Sequence, residues 1–115
     1  LIWPHPSFFV QNPQMYLQTL KLSFYVFFLE KGCAGEALAV SLQNALNKFT
    51  GNSHSALSGD YFILKCTESP SVIVECGFLS NAEDERKLSD KEYQAQLTKI
   101  IFEGAMMYMY SGNLP

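Results

Sequence analysis

The sequence predicts an α/β fold: a twisted, mixed-to-parallel sheet with helices on both faces. Two observations point to it first. Apolar, β-branched or aromatic runs at 22–29 (LSFYVFFL) and 71–74 (SVIV) have the composition of strands buried on both faces. Three- and four-residue apolar spacing governs 34–49 and most of 90–110, which is the periodicity of helices. The resulting order, strand, helix, strand, strand, helix, makes at least part of the sheet parallel.

Residues 1–20 carry prolines at 4, 6 and 13, which exclude a regular helix and confine any strand to short edge pieces. Residues 1–21 therefore stand apart as an atypical Pro-rich arm of uncertain origin. Lys21 is the one charged side chain in the first 29 residues, which nevertheless hold half of the aromatics. Such a segment is either buried by the rest of the domain or belongs to a larger sheet. After the strand at 22–29, Gly32 and Gly35 punctuate a turn. In the helix of 34–49, Leu38, Leu42, Ala45, Leu46 and Phe49 share one side, while Glu36, Gln43, Asn47 and Lys48 fall mostly on the other. Gly51-Asn52 stops it.

A polar loop over 52–60 leads to an expected short strand at Tyr61-Phe62-Ile63-Leu64, and Thr67 to Pro70 turns the chain into the strand that ends at Glu75. Asn81 is an N-cap candidate with Asp84 three residues on for a reciprocal bond, opening a short helix from Ala82 to Leu88. Ser89-x-x-Glu92 forms a second capping box before the longest helix. There Tyr93, Leu97, Ile100, Ile101, Gly104 and Tyr108 fall on one face, and Ser111-Gly112 ends it.

The totals narrow the function. A chain of 115 residues, 48% apolar and 17% charged, suits one globular domain. A net charge of −3 without a Lys/Arg cluster gives no reason to expect nucleic acid as a partner. The run from Leu22 to Leu29 is too short to span a bilayer and lacks a cleavage signature. Cys33, Cys66 and Cys76 contain no CxxC pair and do not form a disulfide framework. Leu at position 1 is not expected to be a native start.

Glu75 raises the chemical question. One reading is a strand-end acid that reaches solvent or pairs with Lys65, as most such acids do. The other is functional: groups beyond the carboxyl ends of α/β strands face the crevice where ligands gather. Flanked by Val74 and Phe78, a carboxylate is partly desolvated, which raises its pKa and suits it to general acid–base work. Gly77 lets the backbone turn sharply beside it.

The segment "PSVIVECGFLSNAEDERKL" resembles the C-terminal signature of the zinc-dependent N-acetylmuramoyl-L-alanine amidases, which cut the bond between the lactyl group of muramic acid and the L-alanine of the stem peptide. Pro70, Glu75, Gly77, Phe78, Leu79, Ser80 and Asn81 fit that signature. "GEALAVSLQNAL", "DYFILK" and "EYQAQLTKIIFEGAMMYM" are similar to the flanking elements, and "LSFYVFF" more loosely to the strand that opens this half. The resemblance implies that residues 1–115 are a single partial catalytic domain, its C-terminal half, from an enzyme acting outside the cytoplasmic membrane on peptidoglycan. It implies zinc as cofactor and Glu75 as the carboxylate that takes a proton from the attacking water and passes it to the leaving nitrogen.

The zinc ligands are where the chain departs from the family. The family's Gly-His-Gly-Gly histidine and its ligand glutamate have no counterpart here, since the sequence holds no Gly-His pair. His5 in "LIWPHPS" is the candidate for the remaining metal ligand. Its alternative is a loop histidine in a Pro-rich arm, because Trp3, Pro4, Pro6 and Ser7 do not match the family's strand. His54 reads as a solvated loop residue. Cys76 has no histidine to activate it and reads as a small buried thiol rather than a nucleophile. Lys65 either contacts substrate carboxylates or is solvated. Met106, Met107 and Met109 read as packing or exposed contact. The missing ligands keep a second class of function open: a non-catalytic module that binds peptidoglycan or a partner protein. A half-sheet with an apolar edge is also expected to self-associate.

Overall fold

A computed structural model describes residues 24–112. The expected arm and its His5 lie outside the described residues. The elements are β1 (Tyr25–Phe28), α1 (Glu36–Thr50), β2 (Leu57–Ser58), α2 (Phe62–Lys65), β3 (Ile73–Glu75), α3 (Ala82–Leu88) and α4 (Lys91–Tyr110). The sheet order is β2-β1-β3, with β1 parallel to β2 and antiparallel to β3, so the sheet is mixed.

Alternation along β1 assigns its two faces. Phe24, Val26 and Phe28 point into a core shared with Ala39, Leu42 and Leu46 of α1, Leu88 of α3 and Leu97 of α4. Tyr25 and Phe27 point the other way, where they meet His54 and Tyr61 from the segment that follows α1. All four residues of β1 are buried, as its composition predicts. Burying each large apolar side chain contributes about 1.5–3 kcal/mol.

Helix α4 lies close against α1. A methyl group added at Gly104 would come within 3.0 Å of the Leu42 side chain, and Ser41 donates to the Gly104 carbonyl at 2.7 Å. Gly51 ends α1 in the left-handed conformation, as its sequence predicts (φ 74°), and its N–H donates to the Asn47 carbonyl.

Three expectations need correction. Tyr61 to Leu64 is not a strand: the parallel place beside β1 is taken by Leu57–Ser58, inside the expected loop, and the chain then turns through α2. That turn buries Leu64 and leaves Phe62 and Ile63 exposed. Ser89 does not cap α4. Asp90 does, accepting from the Tyr93 N–H at 2.8 Å, while the Ser89 hydroxyl bonds back to the Glu85 carbonyl.

The third correction is Gln43, expected on the polar side of α1 but 1% exposed. Its Oε1 accepts from the Val26 N–H at 2.9 Å and its Nε2 donates to the Phe24 carbonyl at 3.0 Å. β2 is only two residues long and pairs with Phe27 and Phe28. The Gln43 amide therefore acts as a one-residue strand substitute, satisfying β1 where its neighbour has run out.

Gln43→Leu keeps the volume and removes both bonds. It is expected to lower stability by roughly 2–4 kcal/mol, read as a shift in the urea midpoint; an unchanged midpoint would contradict this role.

Candidate active site

β3 is three residues long and held by β1 with Tyr25 opposite Glu75, Val26 opposite Val74 and Phe27 opposite Ile73. Cross-strand partners share a face, so Glu75 stands beside Tyr25, on the side turned away from the helical core. Val74 and Cys76 point the other way and pack against that core. Glu75 is 7% exposed, and its Oε2 has no hydrogen-bond partner among the described residues. Lys65, a possible counter-ion from sequence, pairs with Asp60 instead. With no cation paired to it among the described residues, burial pushes the Glu75 carboxyl from the ordinary 4.5 up to about 7.

The turn after β3 fixes where that carboxyl points. Gly77 adopts φ 138°, a conformation that side chains disfavour, and a methyl group there would also press on the Asp84 carboxylate at 3.2 Å. Asn81 caps α3 as expected, its side chain accepting from the N–H groups of Glu83 and Asp84. The reciprocal bond expected from Asp84 to Asn81 is replaced: the Asn81 N–H donates to the Phe78 carbonyl at 3.0 Å, and Asp84 turns to the Phe78 N–H. It is 2% exposed, and its Oδ2 accepts from the Phe78 N–H at 2.9 Å. The Glu-Cys-Gly-Phe turn is thus tied to the first turn of α3.

The segment after α1 supplies the rest of this face. His54, expected to be solvated, is held in place. The Asn47 side chain accepts from the His54 N–H at 3.2 Å and donates to its carbonyl at 2.7 Å. Its ring lies on Tyr25, with centroids 4.7 Å apart, and Nε2 is buried without a partner among the described residues. Tyr61 packs edge-on against Phe27 at 5.3 Å. Burial, and then the charge of Glu75, raise its phenol above the ordinary value. One signal for this grouping was available in the sequence: Asn47 four residues after Gln43 places two amides on one side of α1, aimed at β1 and the following loop.

The nucleophile reading of Cys76 finds no support. Its thiol is half-buried on the core side and raised first by burial and then by Glu75, so it stays protonated near neutrality. Among the described residues no three His, Cys, Asp or Glu side chains converge as a metal-ligand set, whereas a catalytic zinc takes three. The described residues do not by themselves fit a zinc site. Met107 and Met109 are exposed on α4. A half-open cavity of about 430 Å³ lies between α1 and α4, lined by Ser41, Lys48, Phe49 and Glu103 among others, and shares no residue with the Glu75 face.

Compared with known proteins, residues 23–106 match the N-acetylmuramoyl-L-alanine amidase family. Over 51 residues the chain is 41% identical to the probable N-acetylmuramoyl-L-alanine amidase AmiB of Haemophilus influenzae, covering 44% of this chain and 12% of that protein. It is 29% identical over 77 residues to the probable cell wall amidase LytH of Staphylococcus epidermidis, covering 66% of this chain and 26% of that one. Among solved structures, the CwlD amidase from Clostridioides difficile in complex with the GerS lipoprotein superposes with a TM-score of 0.72 at 26% identity. That match covers 82% of this chain and 49% of CwlD. The chain spans half or less of the length of each of these relatives.

Asp84→Ala removes the charged acceptor at the Phe78 N–H. It is expected to lower stability by about 1–3 kcal/mol and to speed amide exchange at Phe78. Unchanged exchange there would contradict the role of Asp84 in holding the turn.

Proposed function

The chain belongs to the N-acetylmuramoyl-L-alanine amidase family, and from that premise we propose that the protein of which it forms part hydrolyses the amide between muramic acid and the L-alanine of peptidoglycan, with Glu75 moving the proton. The observation that carries this role is the buried Oε2 of Glu75, unpartnered among the described residues and belonging to a carboxyl raised to about 7. A general base works best with a pKa near the operating pH.

Water adds to the amide carbonyl carbon and gives its proton to Glu75. Collapse of the tetrahedral intermediate breaks the carbon–nitrogen bond, and Glu75 delivers the same proton to the departing alanine nitrogen. The products are a lactyl carboxylic acid, which gives its remaining proton to the released amine or to solvent, and the amine of alanine, and the carboxylate of Glu75 is regenerated. Tyr25 and Phe27 keep the floor of the site apolar, which preserves the raised pKa between turnovers.

The family resemblance brings zinc as the group that polarises the carbonyl and acidifies the water. The chemistry assigned to this chain is the proton transfer alone, since the described residues do not make a three-ligand set; His5, the sequence's candidate ligand, lies outside them. Peptidoglycan as substrate places the protein's work outside the cytoplasm. A second reading is a module that binds peptidoglycan or a partner without cutting it.

One variant separates the two readings. Glu75→Gln keeps the shape and removes the base, so hydrolysis of a muropeptide should fall by about 10²–10⁴-fold; unchanged activity would reject the catalytic role. Stability should move the opposite way. The folded carboxyl holds its proton up to about pH 7 and the unfolded one only to about 4.5. Its contribution is therefore complete below 4.5 and lost as pH rises through 7, a difference of roughly 3 kcal/mol. Glu75→Gln should match the wild type at pH 4.5 and exceed it in thermal stability at pH 8. Parallel stability curves would contradict the burial of the ionising group.

A further inference from the structure

The Glu75 face carries a second polar group that the proton transfer does not use. His54 enters the sheet region just before β2, on the opposite side of β1 from β3. Tyr25 lies between them: its ring meets His54 at 4.7 Å, and its backbone is in register with Glu75. Each of the two flanking side chains has a buried polar atom without a partner among the described residues, Nε2 on His54 and Oε2 on Glu75. A buried nitrogen left in this way costs stability. Yet the imidazole is held there, through both backbone bonds to Asn47, and Asn47 in turn is bonded by the Nε2 of Gln43 at 3.2 Å. Gln43 is fixed to β1, so His54 is braced by the same rigid element that carries Tyr25.

We propose that His54 is a substrate-contacting residue, its Nε2–H donating to a carbonyl or carboxylate oxygen of the stem peptide while Glu75 acts on the scissile amide. This rests on the amidase reading above. A cross-strand step of about 5 Å and the 4.7 Å ring contact, laid end to end across Tyr25, put the imidazole at most about 10 Å from the carboxyl. That distance is about three extended peptide units. The oxygen that His54 takes therefore lies about three residues along the stem from the cut bond, which makes the site selective for stem length.

The test uses the full chain carrying Glu75→Gln, so that ligand is not consumed, with an N-acetylmuramoyl dipeptide and an N-acetylmuramoyl tetrapeptide as probes in calorimetry. His54→Phe keeps a ring against Tyr25 and removes the nitrogen. It is expected to weaken the tetrapeptide about tenfold and leave the dipeptide unchanged, with His54→Gln recovering most of the loss. In the chain with His54 intact, the Nε2 resonance of His54 should move on saturation with the tetrapeptide, a readout that needs no variant to fold. Equal tetrapeptide affinity with and without His54, or a stationary Nε2 resonance in a saturated complex, overturns the proposal and leaves the amidase reading standing. Failure of both probes to bind the chain with His54 intact overturns the proposal together with that reading.

Discussion

Burying the carboxyl of Glu75 with no cation paired to it among the described residues makes its ionisation unfavourable by several kcal/mol, and the surrounding elements must hold it there. β3 is too short to do so alone. Its three residues take their register from β1, and β1 takes its own position from a core that α1, α3 and α4 close over Phe24, Val26 and Phe28. The far end of β3 is fixed by the positive φ of Gly77 and by Asp84 reaching under the turn to the Phe78 N–H. Stability is thus built on one face of β1, and the carboxyl proposed as the base stands on the other.

The two faces are joined through amide side chains. Gln43 completes the hydrogen bonding of β1, and Asn47, one turn further along α1, continues from Gln43 to the backbone of His54. Neither amide adds apolar burial. Their effect is positional: they convert the rigidity of a packed helix into a fixed location for a loop histidine, which propensity and burial by themselves do not provide.

Much of this fold is legible from residue patterns. Apolar runs locate β1 and β3, helical spacing locates α1 and α4, Asn81 and Gly51 mark helix ends, and the Pro70 to Asn81 signature singles out Glu75 before any geometry is known. The misreadings share a physical cause: a tertiary partner outweighed a local preference. Gln43 has a polar side chain and so reads as solvent-facing, but β1 offered it two unsatisfied backbone groups. Tyr61 to Leu64 has strand composition, but Leu57–Ser58 already occupied the neighbouring place. Asp90 took the cap that Ser89 was expected to provide, because the Ser89 hydroxyl bonds back along α3. His54 reads as a solvated loop histidine, since the ring beneath it and the amide holding it are distant in sequence.

The account depends most on the state of one carboxyl, and carbon-13 NMR of the Glu75 side chain measures it directly. The full chain would be labelled at the glutamate carboxyls and titrated from pH 3 to 9, with Glu75→Gln assigning the resonance. A midpoint near 7 is predicted, about 2.5 units above the ordinary 4.5. A midpoint near 4.5 would mean that solvent or a cation reaches the carboxylate, and the claim that the fold holds Glu75 as a buried base would be wrong.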